Sequence, residues 1–301
     1  MIRSTIRDNC NNRDNCNDES DNRNRSVNRN KSVYRNKSYN RNNKDRGNKN
    51  KSIKLWAIIT WLLIWEIASR LLNQGILLVS PILTAKRLFE LAREWEFYRT
   101  ILFSISQIIL GFLSATILGV ILAIWGNWSK RVEEFLQPLF GVMKAIPVAS
   151  FIILCLVFLS SSKLSIFIVF LMVLPIMYTN VLQGIQRVDK NLIEMAQVFE
   201  VSLFRRIRYL YVPAIWPFFY TSCKVGIGFS FKSGIAAEVI GIPDGTIGEK
   251  LYESKIYLDT PDLFAWTIVI VVISILFEKI FIQVLEKGYL LLTKQAKKRL
   301  G

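Results

Sequence analysis

Six apolar segments, each about as long as a bilayer is thick, constrain this chain more than any other feature. A spanning helix needs roughly 20 predominantly apolar residues. Such runs lie at about 55–72, 101–125, 139–160, 164–183, 214–240 and 263–285. A soluble domain of this size would show amphipathic stripes parted by charged faces, and these runs are too long and too uniform for that. The expected fold is therefore all-α: a polytopic membrane protein with about six transmembrane helices over residues 55–301. Two details support the segmentation. Glu66 and Arg70 stand one helical turn apart and can pair on one face. Ser160-Ser161-Ser162-Lys163 makes a tight polar turn between the third and fourth runs. Residues 81–99 are amphipathic and too charged to span, so they are expected at the membrane surface.

Residues 1–54 differ sharply. They hold 15 Lys or Arg against 6 Asp or Glu and almost no apolar run. Asn is abundant, and Arg29-Asn30-Lys31-Ser32-Val33-Tyr34 nearly repeats as Arg35-Asn36-Lys37-Ser38-Tyr39. Such a stretch cannot bury enough apolar surface to offset chain entropy, and it reads as a disordered cytoplasmic tail. A basic tail offers a surface for anionic lipid or nucleic acid. Composition alone does not carry that reading, so the tail is taken as a solvated extension and no nucleic-acid partner is assigned.

Composition also removes whole classes of chemistry. There is no histidine, which excludes His-based catalysis and most zinc sites. Four cysteines, Cys10, Cys16, Cys155 and Cys223, form no CxxC pair, so neither a redox motif nor a disulfide framework is indicated. No Gly-rich loop ends in Gly-Lys-Ser/Thr, so the chain does not bind ATP in that way. No apolar core follows the first basic residues, unlike a signal peptide. No catalytic residue, metal site or cofactor is expected.

Orientation follows from the basic loops. With the tail inside, the inner segments 126–138, 184–213 and 286–301 carry Lys130, Arg131, Arg187, Arg205, Arg206, Arg208, Lys294 and Arg299. The loop 241–262 is mostly acidic, with Asp244, Glu249, Glu253, Asp259 and Asp262. The surface stretch 81–99, with Lys86, Arg87, Arg93 and Arg99, is the exception. Six spans put both termini in the cytoplasm of a cell whose plasma membrane the chain crosses.

Two spans and one loop carry specific information. The second span has Gly111, Ala115, Gly119 and Ala123 at every fourth position, a flat stripe through which membrane helices pack closely. The fifth is polar: Ser222, Lys224, Gly226, Gly228, Ser230, Lys232, Ser233, Gly234 and Glu238. Lysines within a span are expensive unless they face water or a partner. Lys224, Gly228, Ser230, Lys232, Ser233 and Glu238 are therefore candidates for a translocation path. The plainer alternative is that Lys224 snorkels to the inner surface and Lys232 pairs with an acidic group. Between spans four and five, Leu192, Met195 and Phe199 recur at helical spacing. Val201-Ser202 then opens a second short helix over 202–210 with Ser202 as cap and a basic face. An apolar face at the cytoplasmic border is suited to dock in another protein's groove, or else to lie on lipid.

That loop resembles the EAA loop of binding-protein-dependent ABC importer permeases, which reads Glu-Ala-Ala, three residues, Gly, nine residues, Ile-x-Leu-Pro. Here Glu194-Met195-Ala196 is followed at the same spacing by Glu200 and by Leu210-Tyr211-Val212-Pro213. Met195 replaces an Ala, and Glu200 replaces the Gly that permits a positive-φ turn. Roughly residues 80–290 resemble the nitrate/sulfonate/taurine group of these permeases. Matching pieces include Ser80-Pro81, Leu136-Gln137-Pro138-Leu139, Ala145-Ile146-Pro147, Trp216-Pro217 and the run from Lys232 to Gly241.

The resemblance implies a type I ABC importer permease that does no chemistry itself. Its partners would be ABC ATPase subunits, an extracytoplasmic solute-binding protein and a second permease copy, in a homodimer within the lipid bilayer. Residues 191–209 would dock on the ATPase. Leu192, Met195, Ala196 and Phe199 would be the anchors, and Glu194 would sit near the helix start, where the dipole favours a carboxylate. The solute would be a small anion of the nitrate, sulfonate or taurine kind, or a vitamin precursor. Two rivals weigh against this. An ion-coupled secondary transporter should show internal repeats, and the body shows none. A membrane enzyme needs clustered titratable groups, whereas Glu66, Lys224, Lys232, Glu238 and Glu278 are scattered.

Overall fold

The computed structural model describes residues 55–72 and 78–298. The tail 1–54, with the disorder and boundary expected of it, lies outside the described residues. Among the described residues there is no strand. The helices are α1 Leu55–Leu72, α2 Pro81–Leu91, α3 Trp95–Trp128, α4 Lys130–Ala145, α5 Val148–Leu156, α6 Ser161–Gln186, α7 Lys190–Val198, α8 Leu203–Arg206, α9 Val212–Gly241, α10 Ile247–Ile256 and α11 Thr260–Lys298. A π-helical turn, Ile207–Tyr211, joins α8 to α9.

The chain divides into two units, Met1–Ile64 and Trp65–Gly301. Of the first, only the start of α1 is described. It is apolar, with Trp56, Ile59, Trp61 and Leu63 exposed. All that follows concerns the second unit.

Three helices, Trp95–Trp128, Ser161–Gln186 and Thr260–Leu291, are long and apolar enough to cross a membrane, and α4 with α5 passes the same test as a bent pair. With α1 and α9 they occupy the positions of the six expected segments. The third expected span, 139–160, is corrected. It is not one rod, because α4 and α5 meet at about 100°. The bend lies at Ile146-Pro147, where both residues are extended. Proline lacks the N–H a helix needs and disfavours the α region for the residue before it. The stretch 81–99 is also not one helix. It breaks at residues 92–94, and Trp95 already belongs to the long α3.

α6 packs along both α3 and α9. The small-residue stripe explains how. Gly111, Ala115, Gly119 and Ala123 are all buried, and Gly126 extends the row. A Cβ on Gly111 would lie 2.6 Å from the Ile166 carbonyl oxygen, and one on Gly119 would lie 2.7 Å from the Met177 Cβ. Backbones at such range gain dispersion contacts that lipid cannot match. The opposite face of α3, with Leu102, Leu110, Leu113, Ile117, Ile121 and Ile124, is exposed as a lipid-facing surface should be.

α2 is fixed at its start by Ser80, whose hydroxyl accepts from Leu83 N at 3.3 Å, and by Pro81 in the first turn. It is tied to α11 by Arg87 Nε donating to Asp262 at 2.5 Å, which holds the guanidinium above its ordinary pKa. Lys250 on α10 sits 3.3 Å from both Glu96 and Glu253. Burial alone would lower its pKa, but the two carboxylates outweigh it and raise the ammonium. Glu66 and Arg70 pair at 2.7 Å as their spacing requires.

Candidate functional site

α7 begins at Lys190, capped by Asp189, whose side chain accepts from Asn191 N at 2.9 Å. Glu194 therefore lies in the second turn, and no acidic residue occupies the first. The dipole argument made for Glu194 passes to Asp189, a residue not singled out before. The helix ends in two interlocked bonds: Glu200 N–H to Gln197 O at 3.0 Å, and Val201 N–H to Ala196 O at 2.9 Å. This pairing defines a Schellman stop, which places the residue between them in the left-handed region. That residue is Glu200, with φ of 49°. The turn is kept with Glu where a Gly is easier, at a cost of about 1–2 kcal/mol.

The second short helix is shorter than the expected 202–210. Ser202 holds the cap position, but its side chain makes no capping bond, and regular α geometry ends at Arg206. The π turn then carries Leu210 directly into α9, with Pro213 in its first turn, so segment and span form one continuous rod. Arg206 Nε donates back to Val201 O at 2.7 Å and braces the corner.

The apolar side chains here are largely unburied. Met195 is 51% exposed and Phe199 74%, with Leu192 also exposed. Val198, Leu203 and Phe204 join them, and the pair Leu203-Phe204 directly after Ser202 was the signal for two of these. Ala196 is buried, so it supports the helix rather than presenting to a partner.

α9 sorts its polar residues by face. Pro217, Thr221, Lys224, Gly228 and Lys232 fall on one side at spacings of three or four. Gly228 is half-buried and the other four are exposed. Lys224 lies 3.9 Å from Glu278 on α11, so Lys224, and not Lys232, is the lysine with an acidic neighbour among the described ion pairs. Ser230 and Ser233 point inward, donating to Gly226 O and Phe229 O of their own helix. Glu238 is fully buried. Its Oε2 accepts from Ser104 Oγ at 2.8 Å and from Gly248 N at 3.2 Å, and Ser104 Oγ accepts from Ile247 N at 2.9 Å. A carboxylate at the N-terminus of α10 thus knots α3, α9 and α10 together. The six residues expected along a path do not share a surface: Lys224, Gly228 and Lys232 do, while Ser230, Ser233 and Glu238 are turned into the fold.

The family profile described as binding-protein-dependent transport system inner membrane component matches residues 115–288. The chain belongs to this family. It is a multi-pass permease subunit of an ABC importer, and family membership implies an ATPase and a solute-binding protein as its partners. The ion-coupled reading falls with this. Among its relatives is the putative aliphatic sulfonates transport permease protein of Bacillus subtilis, 26% identical over 242 residues, covering 80% of this chain and 86% of the relative. The nitrate import permease protein of Synechocystis sp. is 26% identical over 194 residues, covering 61% and 70%. The formylaminopyrimidine transport permease protein of Halalkalibacterium halodurans is 26% identical over 218 residues, covering 71% and 86%.

Proposed function

We propose that this permease works as a homodimer in the plasma membrane, both termini cytoplasmic, and passes a small oxyanion or organic solute delivered by its binding protein. ATP is hydrolysed by separate subunits, and the permease itself does no chemistry. The observation that carries this is the helix–turn–helix of residues 190–211. Exposed Leu192, Met195 and Phe199 crown a braced corner that continues as a rod into α9. Such a corner converts a push from a docked ATPase into movement of a span. Glu194 adds a charge for a basic partner, Ala196, Glu200, Leu210 and Pro213 hold the shape, and the strip with exposed Lys224 and Lys232 on either side of half-buried Gly228 faces the path between two copies.

Among the described residues there is one such corner, so a closed two-fold assembly with one ATPase per permease copy is expected. Native mass measurement of the complex purified with its ATPase tests this. Two permeases with two ATPases is the predicted composition. A single permease that still hydrolyses ATP in step with transport, or a second, different permease chain, contradicts it.

A further inference from the structure

α10 ends in three successive apolar residues, Ile256, Tyr257 and Leu258, which are 57%, 79% and 68% exposed. We propose that this tip anchors the solute-binding protein, seated in an apolar pocket of that protein with a basic rim. The proposal rests on the permease reading given above, with residues 241–262 on the outer side.

Single apolar residues scattered over a surface carry little information, but three in a row at a chain reversal form a patch. The backbone holds this patch out at a cost. Leu258 N–H donates to Lys255 O at 3.3 Å, and Asp259 N–H donates to Ser254 O at 2.9 Å. These are the same interlocked bonds that stop α7 at Glu200. They place Leu258 at a φ of 55°, where Gly is easier and a bulky side chain is uncommon. The exposed Leu258 side chain adds little to the core, so folding does not repay that strain. Strain of this kind gathers at binding sites.

Lipid or protein can cover such a tip, and charge decides between them. The loop 241–262 carries Asp244, Glu249, Glu253, Asp259 and Asp262 against Lys250 and Lys255. Some of these acids are engaged within the chain: Asp262 with Arg87, and Glu253 with Lys250. The loop still keeps an acidic excess. Anionic lipid surfaces attract basic segments, and α2 has that character, with exposed Ile82 and Phe89 beside exposed Lys86 and Arg93. The tip of α10 has the opposite sign. An apolar knob in an acidic loop complements a pocket ringed by Lys or Arg.

The attachment of α10 gives docking a consequence. Thr246 caps the helix, accepting from Glu249 N at 3.2 Å. Gly248 N–H donates to Glu238, and Ile247 N–H donates to Ser104. Glu238 lies in the last turn of α9, and the other end of α9 continues into the corner at residues 190–211. A load on the tip therefore reaches the outer end of the rod whose inner end carries the ATPase contact.

The test uses the full permease–ATPase complex in phosphatidylcholine nanodiscs, titrated with the fluorescently labelled solute-binding protein of the same importer. Leu258→Gly removes the side chain and relieves the positive φ, so its thermal midpoint should be no lower than that of wild type. Tyr257→Ser removes the most exposed ring. Each variant should bind the solute-binding protein about 30-fold more weakly, the scale of one lost interface anchor. Half-maximal stimulation of ATP hydrolysis should then need correspondingly more of it. Added salt should weaken wild-type docking, as a charged rim requires. Wild-type affinity in both variants overturns the inference, as does docking that salt leaves unchanged. A lower midpoint or a lost second permease copy, with affinity per assembled complex unchanged, also overturns it, because the tip then serves lipid or the dimer. A wild-type complex that neither binds the solute-binding protein nor is stimulated by it instead overturns the permease reading.

Discussion

Phe199→Ala and Glu194→Ala are expected to cripple ATP-driven transport per assembled complex while the spans remain inserted. Phe199 is mostly exposed, so truncating it removes no core contact and should leave folded protein at wild-type levels. Anchors of this kind contribute on the order of 2 kcal/mol across an interface, which corresponds to about a 30-fold loss of affinity for the ATPase. Glu194 is exposed and makes no ion pair among the described residues, so removing its carboxylate should also leave the fold intact, and any effect on transport reports on the proposed docking. The two should be measured as ATPase retained on purification and as uptake per retained complex, with membrane level followed alongside. Lower membrane level with unchanged uptake per complex would mark the corner as merely structural.

Gly248→Ala is expected to act on the fold itself. A Cβ at Gly248 would lie 2.2 Å from the Glu238 Cβ and 2.5 Å from the Val239 amide nitrogen. The second of these is backbone and cannot rotate away, so α10 must lift from α9. Lifting breaks the Gly248 N–H bond to Glu238 and the Ile247 N–H bond to Ser104, so the buried carboxyl, whose Oε1 already has no partner, keeps only Ser104. Overpacking and lost polar satisfaction together should cost about 3 kcal/mol. The check is the thermal midpoint of the detergent-solubilised protein. Gly288→Ala is the control, because nothing lies within 4 Å of its Cβ position. Equal midpoints for the two variants would show that the knot contributes little.

Much of this was legible from residue spacing. The stripe from Gly111 to Ala123 announced a close-packing face on α3, because close approach needs small residues at helical period, but that its partner is α6 came only from the fold. The motif around Glu194 located the corner, while the Gly-to-Glu change at 200 argued against a positive-φ turn that the structure nevertheless keeps at that residue. Other features left weaker traces. A run of apolar residues looks the same whether straight or bent, so the bend inside 139–160 hid behind its hydropathy, with only Pro147 to betray it. Ser230, Ser233 and Glu238 are polar residues in a span, and polarity alone does not say whether a side chain faces a path or a buried partner. Their partners, Gly226 O, Phe229 O and Ser104, are matters of helix rotation and of a contact 134 residues away in sequence.

The most direct measurement of the central claim is solute uptake by proteoliposomes containing this permease, its ATPase and its binding protein. It should be run with ATP inside, and repeated with an ATPase variant that binds but does not hydrolyse ATP. The account predicts accumulation against a gradient that requires hydrolysis and disappears when the binding protein is left out. Accumulation that persists without hydrolysis and follows an imposed ion gradient would contradict it.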